Sequence, residues 1–146
     1  MKYLALVLLF SLSITAFAQS LPVCKSRNGT EVILSSKELK RYIDSNNGKR
    51  PIVFTEGIIK EILPEDKLGR PHQKFIMSVQ GMKVQVVHGL DYGRIPLRTG
   101  VQVKVCGEFL NSQGGMIHWT HFDPGARHPD GFIALDGVVY GQTEAR

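Results

Sequence analysis

The run Ile52-Val53-Phe54-Thr55-Glu56-Gly57-Ile58-Ile59-Lys60-Glu61-Ile62-Leu63 decides how this chain folds. β-branched and aromatic residues dominate it, and it is about twice as long as an ordinary strand of roughly six residues. Gly57 interrupts it. A glycine inside a strand pattern marks a bulge or a bend. The run therefore reads as one long strand of a curved sheet.

Strand signals continue downstream. Pro64 to Pro71 is a polar turn. His72 to Val79 and Met82 to His88 flank Gln80-Gly81, a tight hairpin. Leu90 to Gly100 is a connector punctuated by Gly93, Pro96 and Gly100. Val101 to Leu110 is the next strand, and Asn111 to Gly115 is a glycine-rich turn. Met116 to Trp119 resumes extended structure. Thr120 to Gly131 holds two prolines and two glycines and reads as a structured loop. Phe132 to Tyr140, broken by Asp136-Gly137, closes with a short hairpin. Three strands, a connector and further strands fit a small OB-like barrel of five to six strands. An SH3-like barrel or an open β-sandwich is the alternative.

Upstream, Ser35 to Asn47 reads as a helix. Ser35 with Glu38 fits a capping box, and Leu39, Tyr42 and Ile43 form one apolar stripe. The fold class is thus mainly β, formally α+β. A lead and one N-terminal helix occupy residues 19–50, and the barrel domain occupies 51–142. Lys37, Lys40 and Arg41 read as a solvated helix face.

Residues 1–18 read as a secretory signal peptide. Lys2 supplies the positive start, Leu4 to Phe17 carries no charge, and Ala16-Phe17-Ala18 has the small-x-small pattern of a cleavage site. The apolar run is shorter than the ~20 residues of a membrane span. No later segment approaches that length, so no stable membrane insertion is expected after cleavage. The full chain has 146 residues, with 18 Lys+Arg against 13 Asp+Glu. The leader removes one of those cations and no acid, so the remainder stays basic. Export points to the periplasm of a Gram-negative cell, with release to the outside as the alternative. Composition excludes a collagen, a coiled coil, a repeat array and a disordered chain.

Export also places the two cysteines where disulfides persist. In the strand around Cys106, Val101, Val103 and Val105 alternate with Gln102, Lys104 and Cys106. Cys106 therefore falls on the outer face, where an N-terminal segment carrying Cys24 reaches it. A Cys24–Cys106 bond is expected to hold the lead on the outside of the barrel, away from the His-rich segment described next. No C-x-x-C motif is present, which argues against thiol-disulfide catalysis.

The five histidines are His72, His88, His118, His121 and His128. Three fall in Ile117-His118-Trp119-Thr120-His121-Phe122-Asp123-Pro124-Gly125-Ala126-Arg127-His128-Pro129-Asp130-Gly131, with two carboxylates, one guanidinium and the only tryptophan. Imidazole and carboxylate suit a divalent transition metal, the one cofactor this segment suggests. His118 and His121 are three apart, so they share a face only if the chain turns between them. His128, Arg127 and Asp130 also hold the ingredients of phosphodiester hydrolysis. Against both stands a structural reading. Asp123-Pro124-Gly125 and Pro129-Asp130-Gly131 are turns whose carboxylates bond their own backbone. His88 shares the face of Val84 and Val86 and reads first as a satisfied core group. His72, His88 and the 118–128 segment could meet at one barrel rim, near Asp91 and Arg94. The cations are dispersed, and exposed aromatics at stacking spacing are few, so nucleic acid is not expected as a partner unless it is extracellular.

Three patterns carry a resemblance: Gly57-x5-Leu63-Pro64-x-Asp66, His72-Gln73-Lys74-Phe75, and the long segment from Gly115 through His118-Trp119-Thr120-His121-x-Asp123-Pro124-x3-His128-Pro129-Asp130-Gly131 to Phe132. Together they resemble a family of small exported bacterial proteins of unknown function. Phe132 stands where that family often has Trp. The resemblance spans roughly residues 52 to 140 and implies export from a bacterial cell without implying an activity.

Two functions follow as expectations. The first is an exported envelope binding module for an unknown envelope ligand, with a His/Asp-rich rim. The second is a metal-dependent hydrolase, such as a phosphodiesterase or nuclease, using the same cluster. Candidate ligand or metal residues are His72, His88, His118, His121, Asp123, Arg127, His128 and Asp130. Intact-mass analysis of the exported protein should give a chain that starts at Gln19; a mass retaining the leader would refute the cleavage site.

Overall fold

The computed structural model describes residues 20–66, 68–111 and 114–143. The proposed signal peptide and its cleavage site lie outside the described residues. In chain order the elements are α1 (Ser36–Ser45), β1 (Ile52–Leu63), β2 (His72–Val79), β3 (Met82–Gly89), a 3-10 turn (Leu90–Tyr92), β4 (Gln102–Leu110), β5 (Met116–His118), β6 (Phe132–Leu135) and β7 (Val138–Tyr140).

Five strands close a barrel in the order β1-β2-β3-β5-β4, with β4 pairing back to β1. All these pairings are antiparallel except β3 with β5. This is the expected OB-like barrel, with β6 and β7 added as a hairpin on the free side of β4. β1 closes the barrel because it serves two partners. Ile52 to Ile58 pair with β4, and Ile58 to Leu63 pair with β2. The strand is long because it spans both.

The bulge is not at Gly57. The register slips between Ile59 and Glu61, which leaves Lys60 as the extra residue. Gly57 has a different role. A Cβ there would sit 2.5 Å from the carbonyl oxygen of Ser78, so only glycine lets β1 pass so near the end of β2. At the β2–β3 hairpin, Gln80 and Gly81 take φ values of 49° and 83°, the left-handed pair that a two-residue turn of matching twist requires.

The barrel interior is filled by alternating residues of every strand, among them Val53, Ile59, Phe75, Met77, Val84, Val86, Val103, Val105, Phe109 and Ile117. Helix α1 adds Leu39, fully buried, with Tyr42 and Ile43 packed beside it. The Ser35 hydroxyl accepts the Glu38 N–H at 3.2 Å and caps the helix start. The connector is held by Gln73. Its buried amide donates to Ile95 O at 3.0 Å and accepts the Ile95 N–H at 2.7 Å.

Cys24 and Cys106 form the expected disulfide. Cys106 does lie on the outer face of β4. It is nonetheless fully buried, because the lead covers it in a second cluster with Ile52 and Phe132. No helix among the described residues is long and apolar enough to cross a membrane. The bond joins residues 82 apart, so its loss frees a long loop in the unfolded chain. Cys106→Ser should lower stability by about 2–4 kcal/mol in denaturant unfolding; an unchanged midpoint would show that the lead is held without it.

Candidate functional site

The segment after β5 is built around a turn at Trp119. Its φ of 52° lies in the left-handed region, rare for a bulky residue. The turn brings His118 and His121 to the same cleft, which a continued strand would not do. Gly131 makes the turn feasible. A Cβ there would collide with the carbonyl oxygen of Trp119 and sit 2.6 Å from that of Cys106.

The cleft has a volume of about 370 Å³ and is lined by Arg70, His72, Asp91, Tyr92, His118, Trp119, His121, Arg127 and His128, with Val87 and Gly89 of β3. Its aromatic rings form one continuous array. Trp119 stacks with His118 at 4.6 Å and with His128 at 4.5 Å. His128 meets His121 edge-on at 5.1 Å. His121 stacks on Tyr92 at 3.7 Å, and Tyr92 meets Phe122 edge-on at 5.7 Å. Such packing locks the imidazoles in place.

Hydrogen bonds then assign the ring protons. His121 Nδ1 lies 2.7 Å from Phe122 O, and His128 Nδ1 lies 2.9 Å from Pro129 O. A carbonyl can only accept, so each Nδ1 donates and each neutral ring keeps a lone pair on Nε2. His118 donates from Nε2 to Glu108 Oε2 at 2.7 Å, which leaves its lone pair on Nδ1. Burial pushes the His121 and His118 imidazoles below the usual histidine range. For His118 it outweighs the opposing pull of Glu108.

The loop carboxylates do something else. Asp123 is buried and accepts N–H bonds from Gly125 at 3.0 Å, Arg127 at 2.5 Å and His128 at 3.1 Å, and from the Arg127 guanidinium at 3.2 Å. Burial resists its ionisation, but these donors prevail and hold the carboxyl far below the usual carboxylate range. Asp130 accepts the Asp123 N–H at 2.8 Å. Both acids staple the loop, as the turn reading expected; Asp123 uses both of its oxygens and Asp130 its Oδ1. Among the described residues, no three His, Cys, Asp or Glu side chains stand where they could hold a metal ion together.

His72 reaches the cleft at the start of β2, with Nδ1 3.1 Å from Asp66. Arg94 does not line it and pairs with Glu65 instead. His88 is fully buried beneath the rim and does not line the cleft. Its Nε2–H donates to Gly93 O at 3.2 Å, and its Nδ1 faces Thr120 Oγ1 at 2.9 Å.

Sequence reasoning missed the anchor of the site, Glu108. It follows Cys106 by two residues on the same outer face of β4 and is fully buried. It binds Arg27, Arg50 (2.6 Å) and His118. Burial opposes its charge, but His118, Arg27 and Arg50 lower its pKa overall. The Arg27 and Arg50 guanidinium carbons lie 5.3 and 5.6 Å from the Trp119 ring centre. This overturns the expectation that the lead stays clear of the His-rich segment. Arg27 is three residues beyond Cys24, so the disulfide itself delivers the lead to the rim. The alternation that exposed Cys106 also places Glu108, but nothing in sequence pairs it with Arg27 or Arg50.

Burial pushes the His88 imidazole down to about 4 from 6.5, helped by the neighbouring His121 and His72 against its two hydrogen bonds. Between those values the unfolded chain takes up the proton and the folded chain does not. The stabilisation is therefore complete above pH 6.5 and declines as pH falls towards 4, by roughly 3 kcal/mol over the window. Urea unfolding of wild type and His88→Gln across that range should show a steeper decline in wild type, the remaining slope belonging to His118 and His121; parallel curves would assign the difference elsewhere.

Among curated proteins, none matches the chain. A family described as a protein of unknown function (DUF3465) matches residues 23–141, from the lead through the last strand. The match takes in the lead that carries Arg27 as well as the barrel and the rim loop, and this chain belongs to that family.

Proposed function

We propose that the protein is an exported envelope binding module whose ligand rests in the rim cleft. The observation that carries this reading is the fixed array from His118 through Trp119, His128 and His121 to Tyr92, which lines a cleft while Asp123 is consumed inside the loop. Stacked aromatic rings flanked by the guanidinium groups of Arg70, 3.9 Å from Asp91, and of Arg127, 3.2 Å from Asp123, suit recognition of a polar ligand through ring stacking and the remaining N–H donors. The disulfide is compatible with an exported protein. The alternative, a metal-dependent hydrolase, would have to draw its ligands from the cleft histidines and Asp91, since Asp123 is fully engaged.

Co-sedimentation with peptidoglycan sacculi and with lipopolysaccharide tests the reading. Wild type should be retained by one of them, and Trp119→Ala or His128→Ala should lose retention. Retention by neither would refute an envelope ligand. A stoichiometric transition metal in the purified protein, lost in His121→Ala, would turn the assignment to the hydrolase.

A further inference from the structure

A second, larger groove of about 860 Å³ lies between the lead, helix α1 and the start of β1, outside the rim cleft. Much of its wall is apolar: Ile33, Leu34, Tyr42 and Phe54, with Ile52 and Val53 behind them. Ile33 is 79% exposed. It stands over the partly exposed Leu34, Tyr42 and Phe54, so that the groove presents a contiguous apolar surface to an occupant.

Arg27 and Arg50 line the same groove. Both converge on the single carboxylate of Glu108, and His118, the third partner, is held below the usual histidine range. Two cations therefore share one anion, and this spot carries one positive charge in excess. The two side chains are half-exposed, 51% and 50%. Each guanidinium has five N–H donors, of which Glu108 engages only the NH2 nitrogen. The buried carboxylate and the Trp119 ring hold the pair in position before any ligand arrives. Two acids also stand on the wall. Glu38 is already paired with Arg41 at 2.9 Å. Glu31, in the lead, marks where an anionic head would not lie.

A cationic pair beside an aliphatic wall is complementary to a molecule that is anionic at one end and apolar along the rest. We propose that this groove binds an anionic amphiphile: an unbranched alkyl or acyl chain with one carboxylate or phosphate head. Arg27 and Arg50 take the head, and Ile33, Leu34 and Phe54 cover the chain.

The test titrates the full exported chain with decanoate, decyl phosphate and decanol below their micellar range, by calorimetry and by the emission of Trp119. That residue is the only tryptophan and stands next to both arginines. Decanoate or decyl phosphate should bind saturably, the tighter of the two naming the head. Decanol should bind at least ~10-fold more weakly, because it lacks the charge-assisted hydrogen bonds. Arg50→Gln should weaken binding of the anions by a similar factor and leave decanol unchanged. Ile33→Asp alters an exposed position, so folding is not at stake, and it should abolish binding of all three. Decanol binding as tightly as decanoate, Ile33→Asp binding unchanged, or no saturable binding of either anion would overturn the proposal.

Discussion

A sheet of five strands closes on itself only if some strand hydrogen-bonds to the first and the last of the others, and here β1 does so. Its first half pairs with β4 and its second half with β2. A flat strand cannot do this, because the two partners lie in different directions. Lys60, the extra residue, adds the local twist, and Gly57 lets the neighbouring backbone pass closely. Barrel closure in turn buries Val53, Ile59, Phe75, Val86, Val105 and Phe109 in one core. It also fixes the ends of β3 and β5 at the common rim where the histidines stand.

On the outside of the barrel, the organising group is a buried carboxylate. Taking Glu108 out of water is unfavourable unless its charge is matched and its oxygens are bonded. Arg27, Arg50 and His118 supply that match from three separate segments. The cluster therefore joins the disulfide-held lead, the approach to β1 and the end of β5. It also couples the covalent anchor at Cys24 to the orientation of His118 and Trp119. The lead belongs to the rim as well as to the cover over Cys106.

The rim loop shows how similar residues can be divided between two tasks. Asp123, buried, and Asp130, at the surface, both accept backbone N–H groups, and this frees the loop from needing a regular element. The imidazoles are turned to the cleft and oriented by carbonyls and by Glu108. The unusual φ of Trp119 is tolerated because Gly131 makes room for its carbonyl and because its ring is stacked with two imidazoles.

The sequence by itself determined the barrel, the helix cap, the hairpin turns and the disulfide. Each rests on a local signal: alternation in Val101 to Leu110, Ser35 before Glu38, Gln80-Gly81, and two cysteines. It also marked both possible uses of the Asp-Pro-Gly and Pro-Asp-Gly turns, and the structural use is the one observed. Tertiary structure decided the rest. The bulge moved to Lys60 because the register is set by two partners at once. Arg94 left the rim for Glu65, and Arg27 joined it. Glu108 became the hub because strand pairing set it opposite His118 while the disulfide brought Arg27 to it. A charge's partners 81 and 58 residues away are chosen by chain closure in three dimensions, and no spacing along the chain encodes them.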